Sequence, residues 1–308
     1  MTNYQLPITN AISMNFTLDG KVLIQGITEP LGAIYAAKMK DYGTNVVAGV
    51  SPGNGGQIIY DIPVFDLVEQ ALPTVGAIDT TIIFVPPYQA LDAGLEAIAA
   101  GIRQIILICG GIPPLDMVHL LRIASQKQTA VLGPNSLGII VPGKWLLGIH
   151  PEEFYTPGGV GLIGCGGTLT SEIALELTMA GFGQSIGVSI GSDSIVGSEL
   201  PQWLQILDKD KNTKAVVLVG LCGDRNEQTT AQYIADKMTK PVIAYIAGRH
   251  TPEVKYQNQL SDFIPSGSDL KVDLDKKGRR ITAFEQKKIT VAQRPSQIPD
   301  LLKKVLKK

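Results

Sequence analysis

Cysteine is scarce in this chain. The three present in 308 residues, Cys109, Cys165 and Cys222, are far apart and form no CxxC pair. Such spacing excludes a disulfide scaffold and gives a zinc ion no ligand framework, so no metal is expected on this chain and a reducing, cytoplasmic setting fits best. Long apolar runs are also missing. None reaches the ~18 residues a membrane span needs, and Met1 to Phe16 lacks the basic-then-apolar pattern of a signal peptide, so no membrane association is expected. Excess charge is absent as well: the formal net charge of −1 gives the whole chain no nucleic-acid signature. The charge is uneven, however. Residues 271–308 hold twelve Lys/Arg against four Asp/Glu, a net +8 that leaves −9 on residues 1–270. A solvated lysine-rich end is the simple reading; steering of an anionic ligand or acidic partner is the other.

What is present is a chain long enough for two domains with substantial cores, 44% hydrophobic and 18% charged, as in a soluble α/β protein. Its most informative stretch is Gly159-Val-Gly-Leu-Ile-Gly-Cys-Gly-Gly-Thr-Leu-Thr-Ser-Glu172. Val160 to Ile163 reads as a buried strand, Gly164 to Gly167 as a turn, and a helix is expected to open at Thr168. Glycines bring backbone N–H groups close to a ligand, and a helix start adds unpaired donors, which favours phosphate or carboxylate. A plain strand-to-helix connection capped by Thr168 or Thr170 accounts for the same spacing, which does not choose between the two.

The rest of the chain supplies the context. Strands are expected at Lys21–Gln25, Val46–Val50, Thr81–Val85, Gln104–Cys109 and Ala130–Leu132, separated by helices at Leu31–Tyr42, Tyr88–Ala100 and Leu115–Lys127. Near-continuous apolar strands alternating with helices imply a parallel sheet covered on both faces, opening with a Rossmann-type βαβ unit. Pro and Gly crowd the passage from Val141 to Gly159, where the domain boundary is placed, giving 1–146 (with 1–18 an extension) and 147–308. The second half repeats the pattern, with strands at Val160–Ile163, Ser185–Ile190, Ala215–Gly220 and Val242–Ile246 and helices at Leu169–Ala180, Leu200–Asp208 and Asn226–Lys237, an order that suits a flavodoxin-like sheet. Beyond a polar stretch to Arg280, Ile289–Ala292 and Pro295–Leu306 read as a last strand and a closing helix.

A series of motifs in one order turns this pattern into a resemblance. Gly49-Val-Ser-Pro-Gly-Asn-Gly-Gly56, Ile62-Pro-Val-Phe65, Val85-Pro86, Gly111-Ile-Pro113, Leu115-Asp-Met117, Gly133-Pro-Asn135, Val141-Pro-Gly143, Gly167-Thr-Leu-Thr170 and Gly181-Phe-Gly-Gln-Ser185 resemble the α subunit of succinyl-coenzyme A synthetase and the wider ADP- or GDP-forming acyl-CoA synthetases. The resemblance implies a Rossmann-like domain that binds coenzyme A, a flavodoxin-like ligase domain, and partnership with a β-type, ATP-grasp-like subunit; a homodimer on the same surface is the alternative. It carries a CoA site over to Thr28, Glu29, Pro30, Leu31, Asn54, Val85, Pro86, Ile108, Cys109, Gly110, Asn135 and Ser136. It carries a phosphate site over to Gly166, Gly167, Thr168, Leu169, Thr170 and Ser171.

The departures from the family pattern concern one reaction step. The family's phosphoryl-carrying histidine stands in a Gly-His-Ala-Gly-Ala stretch, which segment 249–280 lacks; His250 sits too early and is followed by Pro252. Leu221 replaces the carboxylate that would orient an imidazole, and Ser171 replaces a tyrosine. His119 and His150 match no family site and are expected to be structural. In the CoA loops, Glu29 and Pro30 bring a negative charge and remove a donor, and Asn54 stands for a lysine. These losses imply a CoA- or nucleotide-binding relative without ligase activity and with no catalytic residue of its own. The alternative is a working α subunit of a succinate–CoA-type ligase. An ordinary dinucleotide oxidoreductase is disfavoured, because Gly26-x5-Gly32 is not GxGxxG and Val50-Ser-Pro52 ends the second strand without an acid.

Overall fold

The computed structural model describes residues 16–221, 227–249 and 281–306. Most of the N-terminal extension, Cys222, His250 and the divergent stretch up to Arg280 lie outside the described residues.

The first half runs β1 (Val22–Gln25), α1 (Pro30–Asp41), β2 (Val46–Val50), β3 (Ile58–Ile59), β4 (Ile62–Phe65), α2 (Val68–Val75), β5 (Thr80–Ile83), α3 (Ala90–Ala99), β6 (Gln104–Leu107), α4 (Pro114–Gln126) and β7 (Ala130–Leu132). Its sheet has the order β3-β4-β2-β1-β5-β6-β7 and is parallel apart from β3. Every residue of β1, β5 and β6 is buried, as in strands covered on both faces. Their polar members are satisfied inside: Thr81 donates to Gln25 Oε1 at 2.9 Å, Gln25 Nε2 donates to the Ala93 carbonyl at 2.9 Å, and Thr80 donates to Gln104 at 2.9 Å.

The second half continues with β8 (Gly138–Val141), β9 (Trp145–Gly148), β10 (Pro157–Gly164), α5 (Gly167–Met179), β11 (Gln184–Ser189), α6 (Leu200–Lys209), β12 (Ala215–Leu221), α7 (Glu227–Lys237), β13 (Val242–Ala247), α8 (Ala283–Gln286), β14 (Thr290–Ala292) and α9 (Ile298–Leu306). The sheet order is β14-β13-β12-β10-β11-β8-β9. Strands β10 to β14 form a parallel, flavodoxin-ordered sheet, to which β8 and β9 add antiparallel at one edge.

That edge hairpin begins just before the passage read from sequence as a domain boundary and runs into it. Sheet membership changes between Leu132 and Gly138, and the hairpin fastens the two halves. Ile139 pairs with Val188 in the second sheet. On the other side Thr44, after α1, donates to the Leu146 carbonyl at 2.7 Å and accepts from the Leu146 amide at 3.0 Å. No helix among the described residues is long and apolar enough to cross a membrane.

Candidate functional site

Strand order in the first sheet reverses between β1 and β5, the switch point beside which ligands usually bind in such sheets. The loop after β1 turns at Gly26, whose φ is +80° and whose absent side chain lets the Val85 amide approach; an added Cβ would stand 2.9 Å from it. Gly32, in the first turn of α1, lies so close to the Gly26 carbonyl that a Cβ would meet it at 2.1 Å. These two glycines press the helix start against the strand end. Glu29 is the N-cap residue with no side-chain cap, and Pro30 occupies the first position. The first intrahelical bond runs from Ala33 to Glu29, which leaves the Leu31 and Gly32 amides as the donors this helix start presents.

Polar side chains beside this turn form a chain of their own. Thr28 Oγ1 lies 2.6 Å from Ser51 Oγ, which accepts from Asn54 Nδ2 at 3.1 Å. Gln57 in turn donates to Asn54 Oδ1 at 3.0 Å. The Gly53 and Gly55 amides both donate to Asp66 Oδ1, at 2.7 and 2.9 Å. A carboxylate of the protein thus uses the amides that the glycine loop would otherwise offer to an anion. Ser51 and Asp66 are not apparent from the sequence, because their roles depend on the turn between β2 and β4.

Opposite, Val85 is buried and Pro86 exposed after β5, and Ile108 is buried while Cys109 and Gly110 are half-buried after β6. Asn135, exposed after β7 with φ +56°, donates its backbone N–H to the Cys109 carbonyl at 2.9 Å. Ser136 faces away from this wall. It is buried, donates to the Ser189 carbonyl at 2.5 Å and accepts from the Gly138 amide at 2.8 Å. The loop between β11 and α6 reaches across from the second sheet to the same wall, where Asp193 accepts from the Gly111 amide at 2.7 Å and from Asn135 Nδ2 at 3.0 Å. Burial, opposed by a backbone hydrogen bond and reinforced by the Asp193 charge, pushes the Cys109 thiol up to about 11.

The glycine turn of the second half lies at the end of β10. Helix α5 opens at Gly167, one residue before the expected start, with Gly166 as its N-cap. Neither Thr168 nor Thr170 caps it: Thr168 is exposed, and the buried Thr170 hydroxyl donates back to the Gly166 carbonyl. Because Gly166 has no side chain to cap with, the first amides of α5 are left without an N-cap partner at the positive end of the helix dipole. Ser171 is buried one turn on. In register with Gly164 on β11 stands Ser189, fully buried, its hydroxyl without a hydrogen-bond partner among the described residues. The arrangement suits a phosphate or carboxylate.

The histidines described are elsewhere. His119 is exposed on α4. His150 is fully buried, between the Tyr155 hydroxyl and the Gly138 carbonyl. Among the described residues no group of three His, Cys, Asp or Glu side chains is placed to hold a metal ion.

Comparison with known proteins bears on both halves. Residues 17–111 match the CoA binding domain family and residues 163–272 the CoA-ligase family. Succinate–CoA ligase [ADP-forming] subunit alpha 2 of Archaeoglobus fulgidus is 39% identical over 286 residues, covering 93% of this chain and 97% of the relative. The corresponding α subunit of Aquifex aeolicus is 37% identical, covering 94% and 93%. The malate–CoA ligase α subunit of Methylorubrum extorquens is 40% identical over 83% of this chain and 88% of its own. Among solved structures, the ATP citrate lyase of Methanosaeta concilii in complex with (3S)-citryl-CoA superposes with a TM-score of 0.72 at 20% identity, over 94% of this chain and 51% of the lyase chain, which shows the shared fold. This chain therefore spans about half the length of that lyase chain.

Proposed function

We propose a function that proceeds from family membership: this chain belongs to the succinate–CoA ligase α-subunit family. In our reading it is the CoA-binding α subunit of an ADP- or GDP-forming acyl-CoA ligase for succinate or a related dicarboxylate, working with a β subunit that binds the nucleotide. The carrying observation is end-to-end likeness, close to 40% identity over almost the whole of this chain and of its relatives. The geometry supports it. The crevice bounded by Thr28 to Leu31, Val85 and Pro86, and Gly110 with Asn135 would take CoA, with the Leu31 and Gly32 amides donating to a phosphate. The α5 start would hold the anionic intermediate of the acid or of phosphate. On this reading residues 1–146 are the CoA-binding domain and 147–308 the ligase domain, with the β8–β9 hairpin straddling the division.

The test is reconstitution. The chain is co-expressed with its β-type partner and given ATP or GTP, Mg²⁺, CoA and succinate. The expected result is nucleoside diphosphate and succinyl-CoA formed only when both chains are present, with acid-labile phosphate mapped by mass spectrometry to the residue that carries it.

A second reading rests on a specific observation: the sequence has no Gly-His-Ala-Gly-Ala stretch, and the two described histidines lie in a core and on a helix surface. It is a CoA-binding relative that forms no acyl-CoA. CoA binding by calorimetry, together with no product and no acid-labile phosphate alongside any β-type chain, would establish this reading and sink the first.

A further inference from the structure

Two loops of the first sheet and one of the second meet at a single carboxylate. Asp193 lies in the segment joining β11 to α6, and its two oxygens are used separately. Oδ2 accepts from the Gly111 amide at 2.7 Å, after β6, and Oδ1 accepts from Asn135 Nδ2 at 3.0 Å, after β7. Asn135 Nδ2 is also 2.8 Å from Ser192 Oγ. Further along the same segment, the Gly197 amide donates to the Gly133 carbonyl at 2.8 Å, and Ile195 packs into the core of the first half. The segment is therefore seated on the first half through Ser192, Asp193, Ile195 and Gly197, with a carboxylate between the loops after β6 and β7.

We propose that Asp193 is a positioning residue of the CoA cleft, delivered by the second half to lock the loops after β6 and β7 into the shape that receives CoA. The proposal rests on the CoA-binding reading above. Gly111 has φ +76° and is exposed, and Asn135 has φ +56°, so neither loop is held by regular structure. Two hydrogen bonds to one charged acceptor supply the order that the backbone lacks. The carboxylate has a second effect, on Cys109. Its charge adds to burial in raising this thiol, and a thiol, unlike a thiolate, is a poor nucleophile toward a neighbouring thioester. The loop carrying Cys109 thus stands beside CoA chemistry without competing in it.

The experiment uses the full chain and the substitution Asp193→Asn. An asparagine keeps the shape and one acceptor, but its NH₂ faces a donor wherever it points, so one of the two bonds is lost. Thermal unfolding first confirms that the variant is folded; Asp193→Ser is the substitute if it is not. Calorimetry with CoA is expected to show ~10-fold weaker binding, the loss of about one charge-assisted hydrogen bond. The pH profile of Cys109 alkylation by iodoacetamide, read by mass spectrometry, is expected to move to lower pH. That shift reads the Asp193 charge beside the thiol, while the CoA titration reads the positioning. Unchanged CoA affinity in the folded variant overturns the proposal, whatever the alkylation profile does. If the unsubstituted chain binds no CoA, the functional reading fails. Amide hydrogen exchange then decides the latch alone: faster exchange at Gly111 in Asp193→Asn upholds Asp193 as the residue that orders this wall, and unchanged exchange overturns it.

Discussion

His150 stands edge-on to Tyr155, the ring centroids 5.3 Å apart at 87°, with Nδ1 2.8 Å from the tyrosine hydroxyl. On the other side Nε2 lies 3.0 Å from the Gly138 carbonyl. A carbonyl only accepts, so Nε2 carries the proton and Nδ1 accepts from Tyr155, which fixes one neutral tautomer. Burial, opposed by the bond to Gly138, lowers the imidazole from 6.5 to about 4. The folded chain therefore resists a proton that the unfolded chain accepts readily. Stability from this group is present above about pH 6.5 and is lost as pH falls toward about 4. The loss is on the order of 3 kcal/mol. Replacing His150 by Gln, which can still donate to Gly138 and accept from Tyr155, removes the titration. Urea unfolding at pH 7 and pH 4.5 should show a smaller acid penalty in His150→Gln than in the unsubstituted chain. An equal penalty in both would mean that His150 is not the titrating group.

Arg249 follows β13 and is almost fully buried, its Nη1 3.3 Å from Glu285 Oε1 and its Nη2 2.9 Å from the Ala292 carbonyl. It therefore joins the end of β13 to both α8 and β14. Arg249→Leu removes the charged partner of a part-buried carboxylate that keeps its bonds to Thr282, and is expected to cost ~2 kcal/mol. Glu285→Gln keeps an acceptor and should cost less. Chemical denaturation of the two variants checks the order; a loss below about 1 kcal/mol for Arg249→Leu would mark the pair as dispensable.

The parallel strands were legible because strands buried on both faces have no polar alternation to obscure them: Val46–Val50 and Ala130–Leu132 have the expected bounds. The β8–β9 hairpin was not, because Val141-Pro-Gly-Lys144 signals a turn without saying which sheet its arms will join. That choice is made by Val188 and Thr44, far away in sequence. Helix α2 has no counterpart among the elements expected from the sequence; it is short, and Pro73 stands inside it. At the candidate site, the glycine turns were visible as composition. Asp193 was invisible, since a lone acid in a polar loop acquires meaning only when Gly111 and Asn135 arrive beside it.

Gly32 offers a test of the crevice that does not depend on charge. An alanine there would put Cβ 2.1 Å from a backbone oxygen that cannot move aside without unseating β1. Gly32→Ala is expected to lower stability by ~1–3 kcal/mol and to weaken CoA binding at least ~10-fold. Gly166 provides the control, since a Cβ there meets nothing within 4 Å. Gly166→Ala should leave the CoA titration close to the original, with the unfolding midpoint lowered only as far as alanine is a poorer N-cap than glycine. If Gly32→Ala binds CoA as tightly as Gly166→Ala, the ligand does not sit at the start of α1.

Asn54 addresses the missing cation. Its amide is engaged with Ser51, which contacts Thr28 at the turn into α1, so position 54 lies beside the donors expected to meet phosphate. The nearby charges from this wall, Glu29 and Asp66, are both negative. A polyanion approaching here meets backbone dipoles but no counter-ion from this loop. Introducing one should therefore help: Asn54→Lys is expected to tighten CoA binding ~10-fold, an effect of charge that fades as salt is raised over a range where the Debye length falls from ~30 to ~10 Å. Calorimetry at low and moderate ionic strength separates this from a packing effect, which salt would not alter. No gain in affinity at low salt would place the ligand's phosphates away from Asn54, and with them the site inferred around Thr28.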